Sequence, residues 1–134
     1  MPLEPGQAAT VERVVTRELT ADALGNPGVT VFATPFVINL LEHAAHAVML
    51  PHLEPGAATV GTGVDVRHLA ATPPGMRVRA TAVLRETDGH RCLFEVEAWD
   101  EVEKIAEGRH ERFLVADLAD FLERAAAKTI RETR

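Results

Sequence analysis

The sequence has one cysteine, no serine and no tyrosine in 134 residues. Its single thiol, Cys92, excludes an internal disulfide framework and a cysteine-based zinc finger. A reducing, cytoplasmic setting is the natural expectation. Without serine there is no serine-nucleophile chemistry. Aromatics are scarce, with five Phe and one Trp, so a base-stacking or sugar-stacking surface is not expected. Long apolar runs are missing too. The longest, Thr34 to Leu53, is broken by Asn39, Glu42, His43, His46 and His52, and no membrane span is expected from it. The opening MPLEPGQAATVERVV lacks an apolar core behind a basic region, so no secretory leader is expected. Neither common glycine-rich phosphate loop is present. Positive charge is the minority: 14 basic against 20 acidic side chains leave a net charge of −6. That balance argues against nucleic acid as a partner.

What is there fits one domain, residues 1–134, with a core of Val, Leu and Ala. The charge is uneven. Residues 1–66 carry two basic and seven acidic side chains, and the remaining half carries 12 basic and 13 acidic. An anion-binding surface is expected in the second half, and anionic phosphates are expected near arginines of residues 67–112.

Residues 9–19, rich in Val and Thr, read as a first strand. A turn-rich stretch, 21–28, follows. Thr34-Pro35 is a helix start, with Thr34 as N-cap and Pro35 at the first helical position. The helix is expected to run to Met49. It has almost no polar face, which predicts burial on most sides and points to a second subunit. Period two then takes over. Val60, Thr62, Val64, Val66 and His68 share one strand face, and Gly61, Gly63, Asp65 and Arg67 share the other. After an ATPPG turn (71–75), Val78, Ala80, Ala82 and Leu84 alternate on a further strand. Asp88-Gly89 is a hairpin signal, and Cys92, Phe94, Val96 and Ala98 alternate beyond it. A last strand, 104–115, and an amphipathic helix, 117–128, complete the chain. The order predicts an α+β fold: an antiparallel sheet, with its last four strands in a meander, around one apolar helix.

Two polar residues stand where the pattern wants apolar ones. Glu42 lies mid-helix, and His68 lies on the apolar strand face. A buried carboxylate is costly unless paired, and an imidazole is its commonest partner for acid–base work. The competing structural reading has Glu42 reaching the helix rim and His68 satisfied in the core. Thr34 lies eight residues before Glu42, about 12 Å along the helix, so the two can flank one cleft without touching. Glu42, His43 and His46 have helical metal-ligand spacings, but H-E-x-x-H is absent and no metal is expected. Glycines 61 and 63 suggest close backbone approach, by a ligand or by a packed helix. Arg77, Arg79, Arg109 and Arg112 are strand arginines that can meet phosphates or simply face solvent. Cys92, on an apolar face, reads as a small hydrophobe.

These residues carry a resemblance. The segments VFATPFVINLLEHA (31–44), LEPGAATVGTGVDVRHLAATPPGM (53–76) and GRHERFLV (108–115) resemble the hotdog-fold thioesterases, and among them the fluoroacetyl-CoA thioesterases. The resemblance implies the hotdog fold and a homodimer, open to pairing into a tetramer, with active sites between subunits. It implies an acyl-CoA substrate and no cofactor. Its catalytic Thr, Glu and His fall on Thr34, Glu42 and His68. Substrate-contacting positions fall on Gly61 and Arg112, and Phe36 in the first helical turn is assigned with them. The implied reaction is hydrolysis of a short-chain thioester. Glu42 attacks the carbonyl or activates water, His68 moves protons, Thr34 positions, and the Gly61 N–H donates to the oxyanion. One departure stands out. The aromatic lid that goes with fluoroacetyl selectivity is replaced by LGNPGVTV, with Gly25 and Gly28. A general short-chain acyl-CoA is therefore the expected substrate. The competing function is a module that binds an acyl thioester without cleaving it.

Overall fold

A computed structural model describes residues 2–132. The chain runs β1 (Ala8–Val14), α1 (Thr34–Met49), β2 (Ala58–His68), β3 (Arg77–Thr87), β4 (Arg91–Trp99), β5 (Lys104–Val115) and α2 (Leu118–Glu132). All five strands join one antiparallel sheet in the order β1-β3-β4-β5-β2. The sheet wraps α1, which touches every strand. This is the hotdog architecture.

The period-two readings of β3 and β4 hold. Val78, Ala80, Ala82 and Leu84 are buried, as are Cys92, Phe94, Val96 and Ala98. With Val37, Leu40, Leu41, Ala44, Ala45, Val48 and Met49 of α1 they form the core. Each large aliphatic side chain in such a core contributes about 1.5–3 kcal/mol by leaving water. The Asp88-Gly89 hairpin forms, with Gly89 at φ 99° and Asp88 N–H bonded to the Arg91 carbonyl at 3.2 Å.

Three expectations need correction. The first strand stops at Val14, opposite the start of β3 at Arg77, and only Val15 bonds beyond it, to Met76 and Gly75. Residues 17–19, rich in strand-favouring neighbours, form a 3-10 turn instead. Next, only β3-β4-β5 is a meander. Strand β2 leaves β3 altogether and pairs with β5 at the sheet's edge. The eight-residue connection 69–76, with Pro73-Pro74, is too long and too stiff for a tight hairpin. Finally, α1 is less uniformly apolar than its composition suggests. Asn39, Glu42, His43 and His46 recur at three- and four-residue spacing, so they share one rim, which this chain leaves partly open.

The local feature that places the site is a β-bulge. The β2–β5 register shifts between Gly61 and Gly63, so Gly61 pairs with Arg112 and Gly63 with Glu111. One extra residue reverses the face of everything before it. Gly61 therefore faces α1, on the same side as His68. Strict alternation had put it on the opposite side.

Candidate active site

Two polar clusters lie along the junction of α1 with β2 and β5. The first contains Thr34 and His68. Helix α1 begins one residue earlier than expected, with Ala33 as its cap residue and no side-chain capping bond. Thr34 is thus inside the first turn, and Pro35 follows at a tolerated position. The Thr34 hydroxyl lies 2.7 Å from His68 Nδ1. His68 is half-buried, and desolvation pushes its pKa below the ordinary imidazole value, partly opposed by the Ala70 backbone. Its Nε2 is buried with no hydrogen-bond partner among the described residues.

The second cluster surrounds Glu42. Arg112 Nη1 approaches Glu42 Oε2 at 3.3 Å, and His110 Nε2 lies 3.9 Å from the same oxygen. Arg112 is 7% exposed. It donates through Nε to Thr59 Oγ1 (3.1 Å) and through Nη2 to the Thr59 carbonyl (3.2 Å). His46 Nδ1 sits 2.8 Å from the same Thr59 hydroxyl. Burial lowers the His46 pKa, helped by the charge of Arg112 and then by His43. Burial also lowers that of Arg112, opposed by Glu42, yet the guanidinium stays charged. Asn39, Glu42, His43, His46, Thr59 and Arg112 line an open cleft of about 330 Å³. Gly61 lies against Glu42, His110 and Arg112. A Cβ placed there would stand 2.5 Å from Glu42 Oε2, 3.2 Å from His110 Cε1 and 3.3 Å from Arg112 Nη1. Any larger residue there requires the carboxylate to move. Depressions of about 370 and 410 Å³ on the outer sheet face contain Arg85, Glu95, Lys104 and Arg109, away from both clusters.

Glu42, Gly61 and Arg112 therefore come together, and Thr34 and His68 come together. The two groups do not meet within one chain. About 12 Å of helix separates Thr34 from Glu42, and seven residues of β2, about 20 Å, separate Gly61 from His68. Phe36 is half-buried and packs on the core, outside the cleft. His68 is not near Glu42, and the imidazole nearest Glu42 is that of His110, 3.9 Å away and bonded to Arg112 instead. Period two marks that residue in retrospect. Ala106, Gly108, His110, Arg112 and Leu114 share the inward face of β5, so His110 and Arg112 are two polar residues on a buried strand face. Among the described residues no three His, Cys, Asp or Glu side chains converge as metal ligands.

The fluoroacetyl-CoA-specific thioesterase family matches residues 15–118. The chain belongs to that family. A fluoroacetyl-CoA thioesterase of Streptantibioticus cattleyicolor is 47% identical over 85 residues, 63% of this chain and 61% of that protein. The match thus spans about three fifths of that relative's length. A variant of a fluoroacetyl-CoA-specific thioesterase, solved with fluoroacetate and CoA, is 39% identical with a TM-score of 0.80, over 88% of this chain and 98% of that one. A thioesterase-superfamily protein of Thermus thermophilus is 35% identical with a TM-score of 0.87, over 99% and 98% of the two chains. Glu42 with Arg112 offers an oriented carboxylate, and Thr34 with His68 offers an oriented imidazole, groups capable of acid–base chemistry.

Proposed function

We propose that this chain hydrolyses short-chain acyl-CoA thioesters, releasing the free acid and CoA. The observation that carries the reading is the notch at Gly61, where Glu42 is held against the strand by Arg112. A thiolate leaves readily, so the site has to deliver a nucleophile and stabilise an oxyanion. Glu42 attacks the acyl carbon or takes a proton from water. The glycine beside it lets a carbonyl come close to backbone N–H groups. His68, oriented by Thr34, supplies and removes protons at the thiol and at water. The relative solved with fluoroacetate and CoA supports the substrate class.

The working unit in this reading is a homodimer. Strand β2 is an edge strand with residues 61–65 exposed, Val64 at 47%. Antiparallel pairing with a second β2, centred near residues 64 and 65, sets the partner subunit's His68 opposite Gly61. The Thr34–His68 pair of one protomer then faces Glu42 of the other. That closes the 20 Å gap which a single chain leaves open.

The acyl group is small and not restricted to fluoroacetyl. Residues 21–31 contain no aromatic side chain to cap it. Gly25 and Gly28 have positive φ and open space where a side chain would stand. The neighbouring Phe32 is buried in the core. Phosphates of CoA are expected at arginines outside the surface ion pairs. Arg77, Arg85 and Arg91 are paired with Glu12, Glu95 and Glu111, while Arg67 and Arg109 are in no ion pair among the described residues.

The test is thiol release from acetyl-, fluoroacetyl-, propionyl- and medium-chain acyl-CoA. Glu42→Gln and His68→Ala each lower kcat by about a hundredfold or more. Co-expressing the two variants restores about a quarter of normal activity, because half the dimers are mixed and each has one intact site. Binding of acyl-CoA without thiol release would mark a binding module and refute hydrolysis. No recovery on co-expression would refute the shared site.

A further inference from the structure

His110 is buried on β5, 2% exposed, between the Gly61–Gly63 bulge and the Glu42–Arg112 pair. Its two ring nitrogens have partners that fix its proton. Nδ1 lies 2.8 Å from the Gly63 carbonyl oxygen, which only accepts, so Nδ1 bears the hydrogen. Nε2 lies 3.1 Å from Arg112 Nη1, which only donates, so Nε2 bears the lone pair. Both bonds exist together only in the neutral Nδ1–H tautomer. Desolvation favours that neutral ring, as does Arg112. Glu42 on α1 and Glu111 on β5 act the other way, and so does the Gly63 bond. Strand β4 sets apolar Phe94 opposite, and β2 sets Val64.

The consequence falls on Arg112. Thr59 takes its Nε and Nη2 donors. Nη1 has two hydrogens. With one given to His110, the other is free for Glu42 Oε2 at 3.3 Å. The guanidinium is then held at every nitrogen and cannot turn in its plane. A protonated His110 would turn an N–H toward Arg112 and push it off the carboxylate.

We propose that His110 is a positioning residue which, as a neutral Nδ1–H imidazole, locks Arg112 against Glu42 and pins the glycine bulge beside them. The kinetic half of this inference rests on thioester hydrolysis at Glu42, and its spectroscopic half stands without it.

Two variants separate the two bonds. His110→Gln presents a carbonyl where Nε2 accepts, and His110→Asn presents an amide donor to Gly63 but reaches no further. The Asn variant lowers kcat about 10- to 100-fold with KM within about threefold of normal, and the Gln variant regains most of that loss. Equal kcat in the two variants, or a near-normal Asn variant, would overturn the proposal. Should either variant fail to fold, the unmodified protein decides. Ring ¹⁵N shifts at pH 7 are expected to show a protonated Nδ1 and an unprotonated Nε2 for His110. An imidazolium or an Nε2–H ring would overturn it. Absence of thiol release by the unmodified protein would sink hydrolysis alone and leave the ring measurement to decide.

Discussion

Gly61→Ala is the sharpest perturbation of this site. The backbone there has negative φ, so alanine brings no conformational penalty. The new methyl instead meets Glu42 Oε2 at 2.5 Å. Ordinary contact begins near 3.4 Å, so the oxygen must retreat by about 0.9 Å. Arg112 Nη1, already 3.3 Å from the oxygen, blocks movement in its direction. The remaining route is outward, through the 34% of the Glu42 side chain that is accessible, which breaks the 3.3 Å bond to Arg112. A displacement of about 1 Å at a reacting group costs about a hundredfold in rate. The fold should tolerate the change, since a flexible and partly exposed side chain absorbs it. We expect kcat for acetyl-CoA, read by thiol release, to fall about a hundredfold, with Tm by circular dichroism within about 5 °C of normal. The control is Gly63→Ala, whose methyl meets only Glu111 Cβ at 3.6 Å. It should lose far less. A Gly61→Ala enzyme within about threefold of normal would refute the close approach of strand and carboxylate as the basis of the site.

Other expectations follow from the first cluster. Thr34→Val keeps the shape of the side chain and removes the hydroxyl bonded to His68 Nδ1. It should lower kcat about tenfold or more, and Thr34→Ser should restore most of it; equal losses in both would show that the methyl matters instead. Burial depresses the His68 pKa, so the neutral imidazole dominates at pH 7. Activity should rise with pH along an acid limb whose midpoint lies below the ordinary value of 6.5, and a midpoint at or above it would count against the assignment. The same depression acts on stability. Unfolded His68 binds a proton near 6.5 while the folded residue resists it. Its contribution is full above that pH and is lost as pH falls through the folded-state pKa, which a series of denaturant melts between pH 7.5 and 5 would follow.

Much of this was legible in the residue order. Alternation identified the buried faces of β3 and β4 correctly, because both strands are paired on both sides and one face of each packs on α1. It failed at β2, where the bulge at 61–63 carries no composition signal beyond two glycines and reverses the face of Gly61. It failed again at β1, where chain propensity favoured a longer strand than the one that pairs with β3. Glu42 and His68 stood out because each broke an apolar pattern. His110 did not, although it is the imidazole nearest Glu42, since its neighbour Arg112 drew the motif.

The scarcity of serine, tyrosine and cysteine, the apolar helix with Glu42 inside it, and the Thr34, His68 and Arg112 motifs are properties of the sequence alone. They determined the fold class and the family, because side-chain identity and spacing settle which faces can be buried and which groups can react. Which groups meet was decided in three dimensions. The bulge turned Gly61 toward Glu42, and the antiparallel sheet set Arg112 and His110 beside it. The run of β2 carried His68 to the far end of the strand. Contacts between residues 70 positions apart, such as Glu42 and Arg112, depend on register, and register is a property of the whole sheet.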